Sequence, residues 1–148
     1  MMYVKLIVLL NLTISATLTG LIWVVQVVHY PGFHGVGTES FLAYQHNHMR
    51  TISYVVISLM VTELVVALLL PALDPFRSSW LAYTATGMVL IVWITTFFIS
   101  SPLHGKLATT GYDASLIHQL VATNWIRTMA WTVRTGILFF VVLEMMRS

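Results

Sequence analysis

All six histidines of this sequence fall in two segments, residues 29–50 and 100–120. Neutral imidazole binds copper, iron, zinc and nickel, and imidazole also transfers protons near neutral pH. Histidine is also common at polar borders, where its ring packs on apolar groups and its nitrogens form hydrogen bonds without any catalysis. The uneven placement favours a site, and we predict these metal ligands: His29, His46, His48, His104 and His118.

The composition requires a membrane around this chain. Of 148 residues 58% are hydrophobic and 8% are charged, and the mean hydropathy is +0.87. Soluble proteins carry roughly 25% charged residues. The sequence has no cysteine, which excludes disulfides, iron–sulfur clusters and thiolate metal sites. Its few basic residues are scattered, so no clustered basic face is available for nucleic acid. The predicted surrounding is therefore the lipid bilayer.

Four apolar stretches, at residues 6–28, 51–70, 80–99 and 121–145, are each long enough to cross a bilayer. We predict one transmembrane domain over residues 1–148, an all-α four-helix bundle with antiparallel, up-down-up-down order. The connection after the second span is short. Segments 29–50 and 100–120 are predicted as long loops on one side of the membrane.

This topology places at least one imidazole from each helix at the same membrane level. Orientation follows from the basic residues near the span ends. Lys5, Arg77 and Arg147 lie on the side of the termini, whereas Arg50 and Lys106 lie on the loop side. The balance predicts a multi-pass protein with both termini in the cytoplasm and the histidine segments on the opposite face.

Two charges fall within the spans. Glu63 in the second span and Arg134 in the fourth lie at similar depth, where an isolated charge is unfavourable by roughly 3 kcal/mol. We predict that they pair inside the bundle. The pair either locks two helices together or serves function directly, and both residues are therefore candidates for catalysis.

The fourth span carries a polar stripe. Asn124, Arg127, Trp131 and Arg134 are spaced by three, four and three residues, which places them on one helical face. An inward-facing arginine can stabilise an anionic substrate oxygen. We predict this function for Arg127 and Arg50, with Asn124 beside them.

Several short motifs occur in a recognisable order. They are Pro31, Phe41, Tyr44-Gln45-His46-Asn47, Thr95, Pro102-Leu103-His104-Gly105-Lys106-Leu107-Ala108 and Asn124-Trp125-Ile126-Arg127-Thr128. This order resembles the small four-span membrane proteins related to anthrone oxygenase, a family largely of unknown function. The resemblance covers most of the chain. It implies oxidation of a polycyclic aromatic substrate without a cofactor, with His46, His104, Asn124 and Arg127 at the matching positions.

The sequence departs from that family in two places. His104 stands where the family usually has asparagine, and the pairing of His46 with His48 is not general. The substrate class and the independence of a cofactor therefore do not carry over directly.

Three functions follow from these features. The first is a membrane oxidoreductase or oxygenase with a copper or iron ion, acting on a lipid-soluble or aromatic small molecule. The second is an electron-transfer module with b-type haem between His29 and His118. The third is a non-catalytic subunit of a membrane assembly. The oligomeric state stays open, with a homo-oligomer among the alternatives.

Overall fold

The computed structural model describes residues 2–74 and 76–147, and it is a bundle of four long helices. They are α1 (Met2–Gly35), α2 (Phe41–Ala72), α3 (Trp80–Thr110) and α4 (Ala114–Arg147). Each helix is long and apolar enough to cross a membrane. Helix α4 packs along both α1 and α3. Helix α2 also packs against α1 and α3. The predicted all-α membrane bundle is confirmed.

The prediction of two long loops is wrong. Helices α1 and α3 continue well beyond the predicted spans, α2 and α4 begin earlier than predicted, and only residues 36–40 and 111–113 connect them. The additional helical turns at the start of α2 have one buried face, since Phe41, Gln45 and His48 are all buried at helical spacing. Hydropathy detects the part of a helix that faces lipid, and it misses amphipathic turns beyond it.

Helices α1 and α3 each contain one widened turn of π type, at Val25–His29 and Thr96–Ser100. The Tyr30 amide donates to the carbonyl five residues earlier instead of four. In both helices a proline, Pro31 or Pro102, follows the widened turn by two residues. Proline lacks an amide proton and its ring would clash with the carbonyl of a regular turn. The wider turn relieves that clash and is a frequent feature of functional sites.

The connection between α1 and α2 and the connection between α3 and α4 lie at the same end of the bundle, as predicted. The ring of Tyr112, between α3 and α4, lies 5.6 Å from the ring of Phe41, at the start of α2. Gly111 ends α3 with a φ of 82°, which favours glycine. An Asp113 carboxylate oxygen then accepts from the amides of Ser115 and Leu116 and caps the start of α4. We call this end the loop-side end.

The predicted pair of membrane-depth charges is confirmed. Arg134 Nε lies 3.1 Å from Glu63 Oε1, and both side chains are fully buried. The other guanidinium nitrogens donate to the Ala85 carbonyl and to Asn11 Oδ1, each at 2.7 Å. Trp131 Nε1 donates to the second carboxylate oxygen at 2.8 Å. Because these partners come from α1, α2, α3 and α4, the network joins all four helices.

This network separates two apolar clusters of the core. One cluster packs around Val8, Phe76 and Leu138 near the termini. The other packs around Phe33, Phe41 and further residues near the loop-side end. The candidate site belongs to the second cluster.

Candidate functional site

Three of the six histidines meet at the loop-side end, and we call His29, His48 and His104 the histidine cluster. His29 ends the widened turn of α1, and its Nε2 lies 2.9 Å from Nδ1 of His48 on α2. The ring of His104, on α3, lies 5.4 Å from the ring of His48. One nitrogen of the His29–His48 contact therefore donates a proton to the other. The second nitrogen of His48 is left for other chemistry.

The structure does not bring the other predicted groups to this cluster. His46 is exposed, because two residues on a helix turn the side chain by about 200° from His48. His118 is exposed on α4, and His34 lies beside the Tyr112 hydroxyl. Arg50 is also exposed and donates to Asn47. The sequence could not separate His46 from His48, since the predicted loop carried no helical phase.

Gln45 determines which nitrogen of His104 carries the proton. The amide nitrogen of Gln45 lies 3.3 Å from the His104 carbonyl and 2.9 Å from His104 Nδ1. A carbonyl only accepts, so the nitrogen of this amide must face it, and Nδ1 is then an acceptor too. The reversed amide would place two acceptors together. We therefore expect His104 to carry its proton on Nε2.

That proton is donated to Tyr30. The hydroxyl oxygen of Tyr30 lies 2.9 Å from His104 Nε2 and 3.1 Å from Arg127 Nη2. A phenol oxygen accepts two hydrogen bonds and donates one. With both acceptor positions in use, the Tyr30 proton is free to be donated elsewhere. Sequence reasoning missed Tyr30, because it lies in the segment predicted as a loop, to which no helical phase was assigned.

Arg127 lies at the centre of the polar groups and is only 5% exposed. Its Nε donates to Asn124 Oδ1 at 3.0 Å, and its Nη1 lies 3.4 Å from the Thr96 hydroxyl. Asn124 in turn donates to Gln26 Oε1 at 2.8 Å. The polar stripe predicted on α4 is confirmed as inward-facing. All the partners of Arg127 are neutral, which sets it apart from Arg134.

An apolar cavity of about 380 Å³ ends on these groups. Ile57 of α2 and Phe97 of α3 line it and are more than half exposed, so the cavity opens between these helices towards lipid. Trp93 and Trp131 line its interior. Its polar lining consists mostly of residues at the loop-side end: Tyr30, His48, Thr96, Ser100, His104 and Arg127.

The structure brings together only three of the five predicted metal ligands: His29, His48 and His104. Within residues 2–74 and 76–147, no group of three or more His, Cys, Asp or Glu has the arrangement of a metal site. His29 and His48 face each other, but both nitrogens of His104 are engaged by Gln45 and Tyr30. The haem alternative needs His29 and His118 on the two faces of one haem. The structure does not bring them together, because His29 belongs to the cluster whereas His118 is exposed on α4.

Glu63 and Arg134, the other predicted catalytic residues, do not line the cavity. Their contacts hold the bundle together, and Trp131 is their link to the cavity wall. A catalytic function for either residue stays a prediction.

Comparisons with protein-family models, with curated proteins and with solved structures each gave no match. The resemblance to proteins related to anthrone oxygenase therefore stays a prediction.

Proposed function

We propose that this chain is a membrane oxidoreductase that oxidises a lipid-soluble or aromatic substrate inside the apolar cavity. The observation that carries the proposal is the position of His48, His104, Tyr30 and Arg127 at one end of a cavity that opens towards lipid. A substrate dissolved in the bilayer reaches proton-transferring groups there without passing through water.

The side chains divide the chemistry among them. His48 accepts a proton from the substrate, and the contact with His29 lets the proton move on towards the loop-side end. Arg127 and Tyr30 stabilise the negative charge that the lost proton leaves on a substrate oxygen. With dioxygen as the electron acceptor, an activated methylene group and one dioxygen molecule become a ketone and water.

A copper or iron ion belongs to the same proposal. Neutral imidazole suits either metal. His29 Nε2 and His48 Nδ1 share a hydrogen bond of 2.9 Å, so both would have to give up this contact to bind the ion. A third imidazole joins only if His104 gives up Tyr30 or Gln45. Elemental analysis of the purified protein tests this part. A stoichiometric metal supports it, whereas oxidation without metal leaves direct reaction with dioxygen.

Oxygen uptake by purified protein tests the proposed activity. The substrate is a tricyclic aromatic ketone with an activated methylene group, supplied in nanodiscs. We expect His48→Ala to lower the rate at least tenfold, since it removes the base. His34→Ala, an exposed histidine outside the cluster, is the matched control and is expected to stay within twofold. Equal rates in all three proteins would contradict the proposal.

The proposed orientation has both termini in the cytoplasm and the histidine cluster near the opposite membrane face. It depends on the distribution of Lys5, Arg77 and Arg147 against Arg50 and Lys106. Protons then exchange with the non-cytoplasmic side, whereas the substrate enters from the bilayer.

A further inference from the structure

Arg127 is a buried cation without an anionic partner in the described chain. Its hydrogen bonds go to the oxygens of Asn124, Thr96 and Tyr30, which are all neutral groups. Arg134 is also buried but is paired with Glu63. A buried charge is strongly unfavourable unless an opposite charge compensates it. The residues that line the cavity include no Asp or Glu, so nothing there supplies that charge.

The same end of the cavity has hydrogen-bond donors to spare. Tyr30 retains its hydroxyl proton, because His104 and Arg127 occupy both of its acceptor positions. Arg127 has five N–H protons, and the hydrogen bonds in the structure use four of them. Trp93 lines the interior of the cavity, and its buried Nε1 also has no partner among the described residues. Spare donors beside a cation suit a ligand that brings a negatively charged oxygen.

The rest of the cavity suits an apolar body. The wall is formed by aliphatic and aromatic side chains, and Ile57 and Phe97 open it towards lipid. A volume of about 380 Å³ is in the range of small-molecule sites.

We propose that the cavity binds a lipid-soluble acid, with its apolar body along the wall and its anionic oxygen at Arg127 and Tyr30. This inference rests on the proposed function, because it names the substrate class of the same site. Two sources share this chemistry: the carboxylate of a long-chain fatty acid, which would be a bound ligand and not the oxidised substrate, and the ionised hydroxyl of a polycyclic phenol. In both, the ligand supplies the charge that compensates Arg127.

Tryptophan fluorescence measures the binding directly, because Trp93 and Trp131 line the cavity. The probes are a brominated fatty acid with its methyl ester and a brominated polycyclic phenol with its methyl ether. The phenol is one that is ionised at pH 8, where the protein is titrated in nanodiscs. We expect at least one acid to quench at concentrations ten or more times lower than its neutral partner. The acid that does so identifies the source.

Matched variants assign that preference to Arg127. Arg127→Gln is expected to reduce the preference for the acid to within threefold, while Lys106→Gln, an exposed cation on α3, leaves it unchanged. Tyr30→Phe removes one hydroxyl and keeps the cation, so it should lower the preference several-fold. If circular dichroism shows that Arg127→Gln does not fold, the Tyr30→Phe variant alone tests the inference. Equal binding of acid and neutral partner, or a preference that neither variant lowers, would overturn the inference.

The outcome separates this inference from the proposed function. Acid-selective binding without oxygen uptake leaves a binding site and removes the oxidoreductase. Oxygen uptake with a neutral substrate and no preference for acids keeps the oxidoreductase and removes the acidic ligand.

Discussion

The hydrogen-bond partners of each side chain decide its function in this site. Arg127 and Arg134 are both buried on α4, yet one has neutral partners beside a cavity and the other has a carboxylate. His104 depends in the same way on its neighbour Gln45, which fixes the protonated nitrogen. Residue type alone does not distinguish these cases.

The tautomer of His104 is a direct prediction from this geometry. We expect Nε2 of His104 to carry the proton, because Gln45 donates to Nδ1. Nitrogen-15 NMR of protein labelled on histidine measures the tautomer, and His104→Ala assigns the signal. In Gln45→Leu the donor is gone and the Nδ1 signal should change. A proton on Nδ1 in the unaltered protein would contradict the predicted hydrogen-bond chain to Tyr30.

His46 and His48 form a matched pair for stability. We expect His48→Ala to lower the free energy of unfolding by about 1–3 kcal/mol, since it leaves His29 without its partner. His46 is exposed, so His46→Ala should change stability by less than about 0.5 kcal/mol. Thermal or denaturant unfolding in detergent gives both values. Equal losses would mean that α2 is turned differently at this point.

At the scale of the helices, the sequence predicts those features that follow from placing the chain in a lipid bilayer. Four apolar spans and a pairing of Glu63 with Arg134 follow from the unfavourable free energy of polar groups in lipid. Hydropathy does not predict the helical extensions at the loop-side end, because those turns are amphipathic. It also does not predict the widened turns before Pro31 and Pro102, which change the phase of α1 and α3. Tyr30 was missed because it lies in one of these unpredicted extensions.

The charge network that joins the helices predicts strongly coupled mutations. We expect Glu63→Gln to lower stability by about 3–5 kcal/mol, because Arg134 stays buried without a charged partner. Glu63→Gln combined with Arg134→Met removes both charges and should recover part of the loss. Unfolding in mixed micelles measures all three variants. Losses that simply add would show that the two side chains act independently.

At the scale of the whole molecule, the bundle divides into two halves with different tasks. The half near the termini contains one apolar cluster, and the Glu63–Arg134 network borders it at mid-depth. The loop-side half contains the cavity, the histidine cluster and both widened turns. The candidate chemistry thus lies on the loop side of the network, together with the larger of the two apolar clusters. This division places the site within reach of one membrane face only.

The topology and the orientation are tested together by labelling, since the chain has no cysteine of its own. Single cysteines replace Gly37, Thr110 and Ser78, which are all exposed at the helix ends. With an impermeant maleimide on intact cells, we expect positions 37 and 110 to react and position 78 to react only after permeabilisation. The reverse pattern would invert the proposed orientation and keep the bundle. Different labelling of positions 37 and 110 would contradict the shared loop-side end, and the histidine cluster would then lose its structural basis.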